Sequence, residues 1–336
     1  MSSAETRAYE VVLDNRYLLG DLIESISLEE SLDEIAYRAT VTMMVPADFP
    51  GIRPGQEIRV SGVPHQGTDM AYLLHPGVVW DCENSYHGAD RLTVTLYDRT
   101  IYLSKSEDEY VFPAGQTASQ RLEKYAADWD IRLYRIPDTV RTLSKKVYRA
   151  QSIYAMIASD LKETARKGGE LYRPRMTPNG LELFPIGGNE TVWALEPSGN
   201  IESLTQRRTL EGTVTKVKVL GKEENPESAT EILAVESKDT DMYGTLQKVV
   251  MDSDITTVSE AAAAAKGYLS GVQETFSVTA IDVNTIRAGD RVHLLGSGMD
   301  LIVTSVRHEL GRPGKMSLEL AAFDYVKRRY FMDGPV

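Results

Sequence analysis

The chain has 336 residues, of which 42% are hydrophobic and 26% charged, and its formal net charge is −12. This length favours two or three domains over one core, and the acidic balance disfavours general nucleic-acid binding. No apolar run is long enough for stable membrane insertion, and the N-terminus lacks a signal-peptide pattern, so we expect assembly in the cytoplasm. The single cysteine, Cys82, excludes an intrachain disulfide.

Residues 9–103 consist of short segments in which apolar and polar residues alternate. Pro/Gly turns separate four of them, at 39–45, 57–60, 77–80 and 92–97. Period-two alternation is typical of antiparallel strands with one solvated face, and closure into a barrel or a small sandwich would hide the strand edges. We therefore predict an N-terminal β-barrel module over residues 1–112.

The apolar period changes after residue 112. Helical spacing predicts one helix within 116–129 and a second from about 152 to 167. A short strand is expected at 131–134, and Pro178-Asn179-Gly180 is a good hairpin turn. Residues 113–200 are predicted to form a small mixed α/β domain.

Strand patterns return after residue 210, at 213–220 and 231–235, around a polar stretch at 221–230 that we expect to be an exposed loop. Thr257-Val258-Ser259-Glu260 has the spacing of a capping box, and an alanine run follows it. We expect a second β-barrel module over residues 201–336, with a helix at about 257–270. The predicted fold class is α+β, mainly β, with two related antiparallel barrels flanking the mixed domain.

The strongest feature of the sequence is an internal repeat. Ile52–Val60 recurs as Ile286–Leu294, with the same Ile-Arg-x-Gly turn before alternating apolar residues. Three further landmarks recur in order: Val41-Thr42 with Val278-Thr279, 92–98 with 316–324, and Leu19-Gly20 with Leu220-Gly221. The turn alone is common, but the shared order favours a duplicated β-module. Three copies of a two-module chain would place six similar units around one axis.

In this layout the chain resembles the baseplate hub proteins of contractile phage tails and phage-tail-like particles, of the XkdQ and YqbQ type. It is more distantly similar to late control D proteins and the N-terminal part of VgrG. The resemblance is carried by 78–81, 92–98, the two predicted helices, 286–294 and 301–303.

The resemblance implies a structural protein of the virion or of a bacteriocin-like particle, not an enzyme. Its homotrimer would form a pseudo-six-fold ring that joins the hexameric tail tube to the trimeric central spike. The implied partners are the tail tube protein, the spike protein and other baseplate proteins, with the tape measure protein as a further candidate. The family offers no catalytic motif, so no catalytic, cofactor or metal residue is carried over.

One cluster of histidines and acids has a composition that suits a metal: His65, Asp69, His75, Asp81 and His87. Imidazole and carboxylate are ligands for zinc and iron. The helical His-Glu-x-x-His spacing is missing, and these residues fall on turns and strand ends. We expect solvated loop side chains here.

The alternative function is a tail-associated cell-wall hydrolase or peptidase. Its candidate acids are Asp128 and Asp130, or Glu107-Asp108-Glu109. Glycoside hydrolysis needs two carboxyls at a set separation across a cleft, one of them desolvated, whereas adjacent acids in a polar run are solvated. Gly296-Ser297-Gly298 is read as a hairpin turn, not a phosphate loop, and the acidic neighbours of Cys82 predict an unreactive thiol.

A third alternative is an adhesin-like binding module, which would present aromatic platforms on loop tips. Trp80, Trp129 and Trp193 instead lie in predicted strands or helices. The C-terminal segment 325–332 mixes cations with aromatic residues. In so acidic a chain, this composition predicts a tail that contacts another protein.

Overall fold

The computed structural model describes residues 8–47, 49–86, 88, 90–221, 229–251, 255 and 257–332. Strands make up most of the regular structure and pair mainly in antiparallel fashion, which confirms a mainly β protein of the α+β class. No helix in these ranges is both long enough and apolar enough to cross a membrane.

The elements fall into three groups along the chain. The first comprises β1 (Tyr9–Leu13), β2 (Tyr17–Leu18), β3 (Ile23–Ser31), β4 (Arg38–Met44), β5 (Glu57–Gly62), β6 (Ala71–Tyr86), β7 (Asp90–Asp98) and α1 (Ile101–Lys105). The second comprises β8 (Glu107–Phe112), α2 (Ala118–Asp128), β9 (Lys146–Ser152), α3 (Ile153–Arg166), β10 (Tyr172–Thr177) and β11 (Gly180–Pro185). The third comprises β12 (Trp193–Leu195), β13 (Ile201–Thr209), β14 (Lys216–Leu220), β15 (Ile232–Ser237), α4 (Thr240–Tyr243), β16 (Gln247–Met251), α5 (Val258–Tyr268), β17 (Gln273–Ile281), β18 (Arg291–Leu294), β19 (Met299–Glu309), β20 (Lys315–Ala321), α6 (Phe323–Val326) and a π-helical segment (Lys327–Met332).

One large sheet contains most of the strands of both predicted modules. Its order is β13-β17-β20-β19-β3-β4-β7-β6-β5-β1-β2, with β18 and β12 branching from β19. Two runs of five strands pair in the same order: β3-β4-β7-β6-β5, the N-terminal strand set, and β13-β17-β20-β19-β18, the C-terminal strand set. Each set is followed by a short helix, α1 or α6. This shared order is what a duplicated module predicts.

The irregularities of the two strand sets also coincide. In β6 an extra residue, Trp80, disturbs the pairing with β7, and in β19 Thr304 does the same opposite β20. In β3 the extra residue is Glu24, and in β13 it is Glu202. Because β-bulges bend a strand at a defined position, two shared bulges indicate two copies of one backbone plan.

The expected barrels are not what the strand pairing shows. Within the described residues neither strand set closes on itself: the outer edge of β3 pairs with β19 of the other set, and β13 pairs with β17 alone. The two sets share one sheet, and each covers an edge that the other would leave exposed. The module boundaries at 112 and 200 remain predictions.

Apolar residues of each strand set face a core, as the alternation predicts. In β4, for example, Ala39, Val41 and Met43 are buried while the residues between them are half-exposed. The N-terminal and C-terminal sets each enclose a separate group of buried aliphatic side chains. Period-two patterning therefore sets the buried face of strands such as β4, β7 and β20, whereas β13 is exposed along almost its whole length.

The middle part of the chain has the predicted helices and hairpin. Thr117 and Gln120 form a capping box at the start of α2, and Pro178-Asn179-Gly180 lies at the turn between β10 and β11. The buried Arg121 of α2 donates to Asp160 of α3 at 2.6 Å, which ties the two helices together. The strand expected at 131–134 is wrong, since this segment makes a single bridge, from Leu133 to Leu181.

A small separate sheet is inserted between β13 and β17. Its order is β15-β14-β16, and α5 packs on it through Ala261 and Ala265. Thr257 and Glu260 form the predicted capping box of α5. The match of Leu19-Gly20 with Leu220-Gly221 is wrong, because Leu220 lies in this inserted sheet and not in a repeated strand. Most of the loop expected at 221–230 lies outside the described residues.

Candidate functional site

Strands β3 and β19 form the seam between the two strand sets. Residues Ser27–Ser31 pair antiparallel with Ser305–Glu309. Across the seam Arg307 donates to the carboxylate of Glu29, which also accepts from Arg38 of β4. A directly opposed pair of opposite charges stabilises an antiparallel ladder and specifies its register.

A buried carboxylate, Glu30, lies at this seam and binds all three parts of the chain. Arg287, in the repeated turn before β18, donates to it through Nε at 2.5 Å and Nη2 at 2.7 Å. The backbone N–H of Ala288 donates to the same carboxylate at 3.0 Å. From β10 of the middle part, Arg173 approaches within 3.2 Å. One side chain thus fixes the relative positions of both strand sets and the middle part.

A second arginine of β10 extends this contact. Arg175 donates to the carboxylate of Asp290 and to the Ala288 carbonyl oxygen, each at 2.9 Å, and its guanidinium lies 3.7 Å from the ring centre of Phe184. The Arg173 guanidinium donates to the same carbonyl at 2.9 Å. We refer to Glu30, Arg173, Arg175, Arg287 and Asp290 as the junction cluster.

The charges of the junction cluster determine its protonation. Burial disfavours the ionised form of Glu30, but the charges of Arg287 and Arg173 outweigh it and lower the Glu30 pKa to about 2. For Arg173 burial prevails and lowers the pKa of its guanidinium. Glu30 remains ionised at neutral pH, and its removal would leave buried arginines without their shared partner.

The junction cluster holds parts of the chain together, and two of its members, Arg175 and Arg287, also line a small cleft of about 150 Å³. Both oxygens of Glu30 accept hydrogen bonds from Arg287. Nearby, burial raises the pKa of Asp98 to about 6, but its carboxylate accepts from the backbone N–H groups of Tyr37 and Thr100. A carboxyl engaged in this way orders the turn after β7, and Asp98 lines the same small cleft.

The histidines and acids proposed as a metal set are not brought together. The His65 ring makes an edge contact with Trp193, and burial lowers the pKa of His75, which stacks on Tyr72. Asp69 and Asp81 are exposed, and His87 lies outside the described residues. Within the part of the chain that the structure describes, no group of three or more His, Cys, Asp or Glu side chains could hold a metal ion.

The acids proposed for a hydrolase lie on the surface. Asp128 accepts from Lys124 and from the Tyr110 hydroxyl, and the Lys124 contact lowers the Asp128 pKa. Asp130 and Glu107–Glu109 are exposed. A general acid needs a raised pKa, so the pKa of Asp128 moves the wrong way for that role.

A cleft of about 630 Å³ lies between the N-terminal strand set and the middle part. Its polar lining includes Glu57, Arg99, Asp130 and Arg132. The lining carries both acidic and basic side chains, so the cleft has no predominant sign of charge. Residues of this cleft are the ones to mutate in a test for hydrolase activity.

The Cys82 thiol is unreactive, as the sequence predicts. Burial and the neighbouring Asp81 raise the pKa of this thiol.

The C-terminal segment was predicted to be a contact tail, but Phe331 and Met332 are buried against the chain's own core. Its aromatic residues serve intramolecular packing.

The junction cluster was missed by sequence reasoning. Glu30 falls on the buried phase of β3, on the same face as Ile26 and Leu28, and charged residues are rarely buried unless paired. The signal that was present is Arg173-Pro174-Arg175, two arginines on a strand whose residues 172–176 are all buried. A strand with that composition requires buried acidic partners from elsewhere in the chain.

Comparison with known proteins places this fold among tail proteins. The YqbQ-like family model matches residues 20–321. The uncharacterized protein YqbQ of Bacillus subtilis strain 168 is 28% identical over 271 residues, covering 78% of this chain and 80% of YqbQ.

Two solved structures share the fold at low sequence identity. The 43 kDa tail protein of prophage MuSo2 from Shewanella oneidensis matches with a TM-score of 0.73 and 12% identity, covering 94% of this chain and 98% of its own. The E. coli c3393 protein, a type VI secretion component described as similar to T4 bacteriophage tail proteins gp27 and gp5, matches with a TM-score of 0.58 and 11% identity, covering 93% and 76%.

Proposed function

The chain belongs to the YqbQ-like family, and from this premise we propose that it is a structural baseplate hub that assembles as a homotrimer. In the trimer, six strand sets surround one axis in a pseudo-six-fold ring. The upper face of the ring binds the hexameric tail tube, and the lower face binds the trimeric central spike.

The observation that carries this proposal is the matched pair of strand sets. They share their strand order and the positions of two bulges. A hexameric neighbour needs six similar contact surfaces, and a trimeric neighbour needs three. A chain that carries two similar units satisfies both requirements with three copies.

The junction cluster gives the ring its rigidity. A symmetric ring closes only if the angle between successive units is fixed. The Glu30 carboxylate binds Arg287 and Arg173 and so holds the two strand sets against the middle part. Buried ionic contacts of this kind favour one arrangement over others because alternatives leave charges unpaired.

The proposed partners follow from the family. The tail tube and spike proteins would contact opposite faces of the ring, and other baseplate proteins, with the tape measure protein as a candidate, would contact its periphery. Assembly would take place in the bacterial cytoplasm, before the particle is released. The c3393 protein, which shares this fold, is described as structurally similar to the T4 bacteriophage tail proteins gp27 and gp5, and this description supports a role in the tail.

The experiment that tests the proposal counts copies in assembled particles. Quantitative mass spectrometry of purified tails, with the spike protein as internal reference, should give one copy of this chain for each spike chain. A ratio well below one would contradict a trimeric hub seated on a trimeric spike.

A further inference from the structure

Two strand edges are open in the chain taken alone. Among the described residues β13 pairs only with β17, so its outer edge has no partner, and its residues 202–208 are exposed. The second half of β6, residues 81–86, pairs with β7 on one side, while β5 covers only residues 71–78. Open edges of this length are templates for pairing with another strand.

The repeat relates these open edges to the seam. The bulge residues Trp80 and Thr304 align β6 with β19, and the bulge residues Glu24 and Glu202 align β3 with β13. In the seam, β3 pairs with the second half of β19. The two open edges are therefore the second copies of the two strands that form the seam.

If the two open edges pair as their counterparts in the seam do, the alignment predicts their register. Asp81–Ser85 would run antiparallel to Thr205–Thr209, with Glu83 in the place of Arg307 and Arg207 in the place of Glu29. The ion pair across the seam joins Arg307 to Glu29. On the open edges the charges are exchanged between the strands, but they remain opposite, so the ladder would again carry an ion pair at this position.

We propose that β13 of one copy of this chain pairs with the second half of β6 of the next copy, with Arg207 opposite Glu83. This inference rests on the proposed trimer, and it specifies which strands form the contact between neighbouring copies and in which register they pair. Eight strands of each copy, from β13 to β6, would then continue without interruption around the ring. The partner is a second copy of the chain, because the intrachain seam supplies its template.

Engineered disulfides test this register directly. Glu83→Cys and Arg207→Cys are combined in one chain whose native thiol is removed by Cys82→Ser. Directly opposed residues of an antiparallel pair lie close enough for a disulfide. Mild oxidation of assembled particles should produce a covalent three-chain species on non-reducing gels, and a reductant should remove it.

The matched control shifts one cysteine by a single residue. Glu83→Cys with Arg208→Cys, in the same Cys82→Ser background, points the two thiols to opposite faces of the sheet and should give single chains only. Equal cross-linking in both variants would overturn the register. Particles that contain three copies but yield no cross-link with Glu83→Cys and Arg207→Cys would overturn the interface and leave the trimer standing.

A charge exchange provides a second readout that needs no disulfide. Glu83→Arg or Arg207→Glu alone places like charges opposite each other and should reduce incorporation into particles. The two changes combined restore opposite charges and should restore incorporation. If the double variant incorporates no better than the single variants, the two residues do not face each other, and the proposal is wrong.

Discussion

Gly55 and Gly289 occupy the same place in two copies of one turn. Both have a φ of +91°, and their N–H groups donate to the carbonyl oxygens of Val79 at 2.8 Å and Val303 at 2.7 Å. In each turn the residue after glycine, Gln56 or Asp290, accepts through its side chain from the backbone N–H three residues before it. The repeated Ile-Arg-x-Gly sequence therefore encodes a repeated backbone conformation.

Replacing each of these glycines by alanine should destabilise the protein to different extents. A Cβ at Gly55 meets no atom within 4 Å, so Gly55→Ala should cost about 1 to 2 kcal/mol from the left-handed conformation alone. A Cβ at Gly289 would come within 3.1 Å of Arg173 and 3.2 Å of Ile186, which adds about 1 to 3 kcal/mol of overpacking. Urea unfolding of both variants measures the difference, and a larger loss for Gly55→Ala would contradict this account.

Removing the charge of Glu30 should be costly. Glu30→Gln leaves Arg287 and Arg173 buried without a carboxylate, and we expect a loss of about 3 to 5 kcal/mol in the free energy of unfolding. The matched control is Glu29→Gln at the preceding residue of β3, whose partners Arg307 and Arg38 are 51% and 42% exposed. The control should cost no more than about 1 kcal/mol. Equal losses would show that the junction cluster does not hold the parts together.

The same carboxylate should give stability a specific pH dependence. The pKa of Glu30 is about 2 in the folded chain, against an ordinary value of 4.5. Its contribution of roughly 3 kcal/mol is present above pH 4.5 and is lost as the pH falls toward 2. The stability difference between the native chain and Glu30→Gln should therefore shrink over this range. A difference that stays constant from pH 5 to pH 2.5 would contradict the lowered pKa.

A cell-wall hydrolase would turn over peptidoglycan, and our account predicts that this chain does not. The purified chain should not clear peptidoglycan, and Glu57→Gln or Asp130→Asn in the cleft of about 630 Å³ should change nothing in that assay. Clearing by the purified chain that either change abolishes would favour an enzyme in place of a structural hub.

The amino-acid sequence is sufficient to predict those features of the fold that depend on residues close together in the chain. The turns before β5 and β18 follow from Gly55 and Gly289, and the capping box of α5 follows from Thr257 and Glu260. Alternation in β4 and β7 identified their buried faces. Each of these features is fixed by residues close together in the chain.

Long-range features were harder to predict. Ile23-Glu24-Ser25 recurs as Ile201-Glu202-Ser203 and carries the shared bulge, but a three-residue match has little weight until the pairing is known. The strand that ends at Leu220 alternates in the same way as a repeated strand, so the sequence alone does not distinguish this inserted strand from a second copy of β3.

Glu30 could not be placed because its partners are far away in sequence. It is separated from Arg287 by 257 positions, and although alternation places it on the buried face of β3 with Ile26 and Leu28, no nearby residue supplies its partner. Strand alternation assigns a face to each residue, but the partner that makes a buried charge tolerable is a property of the tertiary fold.

An electron-microscopy reconstruction of the particle tip tests the central claim most directly. Our account predicts three copies of the chain, with N-terminal and C-terminal strand sets alternating at six near-equivalent positions around the axis between tube and spike. A ring built from only one of the two strand sets, or a tip that lacks the chain at the level where tube meets spike, would contradict it.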